Sequence, residues 1–151
     1  MKILMVCLGN ICRSPMAEGI LREMARKEGL DVTTDSAGTS DYHVDDPPDP
    51  RAQAAMRKHG IDISDLRGRQ FVAEDFERFD LLLAMDASNL RDMQGIASNK
   101  ELARKAKLLM DYAPQHQHRE VPDPYYGGDE GFDEVYVMVT EACRNLLKDV
   151  R

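Results

Sequence analysis

The run Cys7-Leu8-Gly9-Asn10-Ile11-Cys12-Arg13-Ser14 brings a thiol, a glycine and a guanidinium together in the pattern Cys-x5-Arg-Ser. Consecutive backbone N–H groups of such a loop can curl around an anion, and the N-terminus of a following helix adds partial positive charge. That combination is a phosphate cradle. Gly9 allows a backbone turn that a side chain would block. Arg13 offers a planar fork of donors that matches two phosphate oxygens. Cys7 stands at the mouth of the same positive field, which favours the thiolate. A thiolate beneath a bound phosphate is a nucleophile in line with phosphorus. Without such a ligand, the same residues could end a strand in a buried thiol and cap a helix with Arg13 and Ser14. Two other chemistries do not fit. A nucleotide-binding P-loop needs a second glycine followed by lysine. A zinc site needs a second Cys/His pair at ligand spacing beside Cys7 and Cys12, so no metal is expected.

A cradle of this kind requires a strand before it and a helix after it. The apolar run Met1 to Val6 predicts a buried parallel strand. Pro15 opens a helical pattern in which Met16, Ala17, Ile20, Leu21, Met24 and Ala25 recur at spacings of three and four, and Gly29 closes it. Val32-Thr33-Thr34 predicts a second strand that ends in Asp35-Ser36-Ala37-Gly38. Ala52 to His59 predicts a helix stopped by Gly60. Phe79 to Met85 predicts a third strand, followed by Asp86 and a helix through Leu90 and Met93. Ala106 to Met110 predicts a fourth strand. Phe132, Val135, Tyr136, Val139, Cys143, Leu146 and Leu147 form the apolar face of a long last helix. Strands alternating with helices imply right-handed crossovers and a parallel sheet covered on both faces. Ligands then sit beyond the carboxyl ends of the strands. The Cys7, Ser36 and Asp86 loops all follow strands and are expected to share that rim.

The chain has 151 residues, which predicts one domain over 1–151. With 20 Lys and Arg against 27 Asp and Glu its net charge is −7, a poor match for nucleic acid or an anionic membrane. Attraction for an anion must then come from one local site. Three cysteines argue against a disulfide scaffold and for reduced thiols in the cytoplasm. The apolar run at the N-terminus is too short for a signal-peptide core, and nothing approaches the ~20 apolar residues of a membrane span.

Cys7-Leu8-Gly9-Asn10-Ile11-Cys12-Arg13-Ser14-Pro15 resembles the active-site loop of the low-molecular-weight protein tyrosine phosphatases. Asp35-Ser36-Ala37-Gly38-Thr39-Ser40, Ala84-Met85-Asp86 and Asp123-Pro124-Tyr125-Tyr126-Gly127-Gly128 resemble further segments of that family, in the same order. The resemblance implies an α/β fold of three layers, with a four-stranded parallel sheet flanked by helices and the phosphate loop between the first strand and first helix. It implies a two-step phosphatase, free of metal and cofactor, that forms a phosphocysteine on Cys7. Arg13 matches the side chain that binds phosphate and transition state. Ser14 matches the hydroxyl that stabilises the departing thiolate. Asn10 matches the side chain that braces the loop, and Ser36 one of its supports. Asp123 matches the general acid, and the chemistry asks for one: a tyrosine leaves as a phenolate of pKa about 10, and a positioned acid contributes on the order of 10²–10⁴-fold. The same carboxylate then activates water.

The family likeness extends to the cleft. Tyr42, Tyr125 and Tyr126 match aromatic walls suited to a flat phosphotyrosine ring, and Tyr125 and Tyr126 match sites open to a tyrosine kinase. Cys12 matches a resolving thiol that captures oxidised Cys7 as a disulfide, whereas Cys143 belongs to the helix core. Phosphotyrosine proteins and small aryl phosphates are the implied substrates. Arg51, Arg57 and Lys58 are the local cations that could offset the acidic whole for an acidic phosphopeptide. The four histidines carry no expected role. The chain departs from the family at one point: Ile61 to Gln70 contains no histidine, where many members carry one that braces the Asn10 position. Two related activities are weaker matches. Arsenate reduction on this fold needs relay cysteines, and Leu81 to Arg91 contains none. A protein-arginine phosphatase tends to have threonine where this chain has Ile11, and fewer aromatics after the acid.

Overall fold

The computed structural model describes residues 1–150, built on four parallel strands. These are β1 (Lys2–Cys7), β2 (Thr33–Gly38), β3 (Leu81–Ala84) and β4 (Ala106–Leu108), in the order β2-β1-β3-β4. The helices are α1 (Arg13–Glu28), α2 (Pro50–Arg57), α3 (Asp75–Arg78), α4 (Ala87–Ile96), α5 (Lys100–Ala103) and α6 (Glu130–Val150). Because β1 is central, it is buried on both faces, which is why its sequence is continuously apolar rather than alternating. Ile3, Met5 and Cys7 face one core with Met16, Ile20 and Leu21 of α1, Met56 of α2, and Val135, Val139 and Leu146 of α6. Leu4 and Val6 face a second core with Phe71, Phe76, Leu82 and Met93. No described helix is long and apolar enough to cross a membrane.

Four differences from the sequence expectations have physical causes. The fourth strand stops at Leu108, and Leu109–Tyr112 form a 3₁₀ turn. Leu109 and Met110 are apolar because they are buried under the sheet's first core, not because they extend β4. The first helix begins at Arg13, so Pro15 is its third residue, still in the turn whose N–H groups have no intrahelical partner. The second strand runs through Asp35-Ser36-Ala37 to Gly38, its backbone paired to β1 with Cys7 opposite Gly38. A β-carbon on Gly38 would meet the Leu8 carbonyl oxygen at 2.8 Å, so glycine is what lets the loop after Cys7 lie against β2. Lastly, α3 and α5 have four residues each, too few to show a periodicity. The last turn of α1 ends as expected, with Gly29 left-handed at φ 66°.

Candidate active site

Cys7 is the last residue of β1 and is buried. The chain after it bends through Asn10, which is left-handed at φ 59°. A non-glycine residue there is strained by about 1–3 kcal/mol unless its surroundings hold it. They do. Asn10 Nδ2 donates to Ser14 Oγ at 2.7 Å and to Ser36 Oγ at 3.0 Å, while its Oδ1 accepts the Arg69 N–H at 3.0 Å. Its own backbone N–H points at Cys7 Sγ, 3.3 Å away.

These bonds leave both hydroxyl protons free to be donated. Each serine oxygen already accepts from the Asn10 amide, so each has its proton left to give. Ser14 Oγ lies 3.0 Å from Cys7 Sγ and can donate to a thiolate there. Ser36 donates to Glu18 Oε1 at 2.6 Å. Glu18 is only 6% exposed. Burial pushes its carboxyl above the usual range, opposed by the Ser36 hydrogen bond. Sequence reasoning missed Glu18, although its position four residues after Ser14, on the inward face of α1, was a legible signal. The expected support from Ser36 is present. The segment lacking a histidine braces Asn10 in another way, through the backbone of Arg69. The Arg69 side chain is in turn held by Asp35 and Asp75.

Gly9 answers to a different cause than the expected turn. The left-handed residue of the loop is Asn10, and a β-carbon on Gly9 would instead meet the His43 ring at 3.2 Å. His43, given no role from sequence, lines the cleft with its Nδ1 3.1 Å from Asp46 Oδ2.

Arg13 is the first residue of α1 and is 3% exposed. Its Nη1 donates to Asp86 Oδ2 at 2.7 Å and to the Val121 carbonyl at 3.1 Å, and its Nη2 lies 3.8 Å from Asp123 Oδ2. Burial works against the guanidinium charge, but Cys7, Asp86 and Asp123 outweigh it and hold its pKa above the ordinary value. Asp86, placed on the rim by sequence, is thus the residue that aims the fork. Its other oxygen accepts the Asn89 N–H at 2.7 Å and caps α4.

Cys7, Leu8, Gly9, Ile11, Cys12 and Arg13 share one cleft with Tyr42, Asp123, Tyr125 and Tyr126. The two tyrosines after the acid pack edge to face at 4.9 Å. Asp123 is partly exposed and accepts the Tyr125 N–H at 3.0 Å. Cys12 is buried at the N-cap of α1. Burial, then Asp49, Cys7 and Asp123, push its thiol up, so it stays protonated beside Cys7. Cys143 is fully enclosed in the α6 core and pushed up to about 12 by burial. Of the local cations, Arg51 is tied to Asp49 and Lys58 to Asp133.

Fold and site together place a thiol, a guanidinium and a carboxylate in one cleft of a parallel α/β protein. Comparison with known proteins gives the family. Residues 2–151 match the family described as low molecular weight phosphotyrosine protein phosphatase. A human protein of that name is 44% identical over 149 residues, covering 97% of this chain and 93% of its own. A crystal structure of a protein tyrosine phosphatase from Entamoeba histolytica, with Hepes in its active site, superimposes with a TM-score of 0.94 at 36% identity, covering 99% and 96% of the two chains. The structure of a Drosophila arginine phosphatase superimposes equally well, at 0.94 and 36% identity, covering 100% and 98%. The chain belongs to the low molecular weight phosphotyrosine protein phosphatase family.

Proposed function

We propose that this protein is a protein-tyrosine phosphatase that works through a phosphocysteine on Cys7. The observation that carries the reading is the convergence on Cys7 Sγ of the Asn10 N–H and the Ser14 hydroxyl, in a cleft that also holds Arg13 and Asp123. Both donors stabilise a thiolate. In the first step the thiolate attacks phosphorus, the bond from phosphorus to the tyrosine oxygen breaks, and Asp123 gives its proton to that oxygen. In the second, a water attacks phosphorus, Asp123 takes the water's proton, and the sulfur–phosphorus bond breaks. Ser14 stabilises the sulfur as it leaves, and Arg13 holds the phosphoryl oxygens throughout. Beyond the substrate and one water, the steps use groups of the protein.

A fold shared equally with an arginine phosphatase does not choose the leaving group. Ile11 and the tyrosines at 42, 125 and 126 favour an aromatic ring over a guanidinium. The flanks of the phosphotyrosine matter too. The net charge is −7, and Arg51 and Lys58 are already ion-paired, so neither is free to attract an acidic peptide. Purified protein should hydrolyse phosphotyrosine peptides well above phosphoserine and phosphoarginine peptides. At low salt it should prefer Lys-flanked over Glu-flanked phosphotyrosine, and the preference should shrink as salt screens it. A dominant phosphoarginine activity would replace this reading with the guanidinium one.

Two regulatory readings attach to the same loops. Peroxide is expected to convert the Cys7 thiolate to a sulfenic acid; the Cys12 sulfur then attacks the Cys7 sulfur, the S–O bond breaks, and the hydroxyl leaves as water with the thiol proton, giving a disulfide. Activity should then return with a thiol reductant. Cys12→Ser should recover poorly, because Cys7 proceeds to irreversible oxidation; equal recovery with no Cys7–Cys12 disulfide by mass spectrometry would sink the idea. Such chemistry, with three free thiols, suits the reducing cytoplasm. Tyr126, 90% exposed, is open to a tyrosine kinase, and Tyr125 is its half-covered neighbour.

A further inference from the structure

We propose that Arg51 is a positioning residue of this reaction: it ties the phosphate loop to the loop that carries Asp123 and so sets where the acid stands. The inference rests on the assignment of Asp123 as the acid. Arg51 is the second residue of α2, and Asp49 is the N-cap of that helix. Arg51 Nε and Nη2 donate to the two carboxylate oxygens of Asp49 at 3.1 and 3.0 Å. This bidentate pair is geometrically rigid. The Asp49 backbone N–H donates to the Ile11 carbonyl at 2.8 Å, so the pair is anchored to the phosphate loop. On its other side the guanidinium lies 4.8 Å from the Phe132 ring, in the buried core under α6, and 5.4 Å from the Tyr125 ring.

Tyr125 then holds the acid, through its N–H to Asp123 Oδ1 at 3.0 Å. The far oxygen of Asp123 faces Arg13 at 3.8 Å. The contacts form a circuit: Ile11, Asp49, Arg51, Tyr125, Asp123, Arg13, and back to the same loop. The segment 121–129 that carries Asp123 contains no helix or strand, so such side-chain ties decide where the acid points. Arg51 itself does not line the cleft. Its effect on substrate passes through the groups it ties together: Ile11 by way of Asp49, and Asp123 by way of Tyr125. A planar guanidinium can pair with Asp49 and lie against Tyr125 at once. A lysine ammonium is a point charge and cannot do both.

The decisive experiment measures single-turnover rates for phosphotyrosine and for an activated nitrophenyl-type ester, in four proteins: wild type, Arg51→Lys, Asp123→Asn and the double variant. Arg51→Lys should slow the tyrosine ester by about 3–10-fold, the scale of one lost stacked cation contact. The activated ester, which needs less help from an acid, should change less than about twofold, with KM nearly unchanged for both. In the Asp123→Asn background the Arg51 substitution should add nothing. Equal slowing of both esters, or full slowing in the Asp123→Asn background, would overturn the proposal while leaving the acid assignment standing. If Asp123→Asn itself shows no leaving-group dependence, the acid assignment fails and this proposal with it. Tyr125→Leu provides an independent variant if Arg51→Lys unfolds early in a thermal melt. It should reproduce the leaving-group-selective loss, and an unselective loss would again overturn the proposal.

Discussion

Cys7→Ser is expected to lose turnover by at least about 10⁴-fold while still binding phosphate or vanadate-like oxyanions. The separation follows from where the proposed mechanism puts each role. Binding belongs to the loop N–H groups and to Arg13, which Asp86 and the Val121 carbonyl hold in place independently of the sulfur. Attack belongs to the sulfur alone. The Asn10 N–H and Ser14 hydroxyl that can stabilise a thiolate do not make serine ionise, because a hydroxyl binds its proton far more tightly than a thiol. Oxyanion binding is read by protection in a thermal melt, which rises with ligand bound to the native state. Turnover within tenfold of wild type would remove Cys7 as nucleophile. Arg13→Lys should show the complementary pattern, losing binding and rate together, because an ammonium cannot replace the fork that spans Asp86 and the phosphate.

The second large effect is expected in Asp123→Asn. Its loss should matter in proportion to how badly the leaving group needs a proton. Phosphotyrosine leaves as a phenolate of pKa about 10 and should slow by about 10²–10⁴-fold; an activated nitrophenyl-type ester should slow much less. Hydrolysis of the phosphocysteine should slow as well, since in the proposed mechanism the same carboxylate takes the proton from water. A plot of single-turnover rate against leaving-group pKa should be steeper in Asp123→Asn than in wild type. Identical slopes would show that another group carries the proton. Asp86 is poorly placed to be that group, because one oxygen accepts from Arg13 and the other from the Asn89 N–H. That would leave Asp129, in the same segment as Asp123, as the next residue to change.

The legibility of this site divides by distance along the chain. Cys7 to Ser14 lies in one short run between an apolar strand and an amphipathic helix. Each signal there is local: residue type, apolar period, a proline in the first helical turn, a glycine at the last. A strand-to-helix loop with a thiol at one end and a guanidinium at the other is the local pattern from which a phosphate cradle is expected. The alternation of apolar runs and helical periods likewise implied a parallel sheet, and hence one rim for the Cys7, Ser36 and Asp86 loops.

What turned those residues into a working geometry was contact between segments far apart in sequence, and no local pattern encodes it. The strand order β2-β1-β3-β4 sets β2 and β3 on either side of β1. Ser36 can therefore reach Asn10 from one side and Asp86 can reach Arg13 from the other, across 26 and 73 residues. The Arg69 N–H that holds the strained Asn10 comes from 59 residues away, and the Val121 carbonyl on Arg13 from 108. Backbone groups carry no side-chain identity, so no residue type announces them. The same holds for Gly9, whose bare α-carbon answers to the approach of His43 rather than to its own dihedral angles, and for Arg51, which reads as a surface cation until Asp49, Phe132 and Tyr125 close around it. Local sequence determined which groups the loop presents. Packing of the strands and of the 121–129 segment decided where each one points, because aiming a side chain takes partners on several sides and a single segment supplies only one.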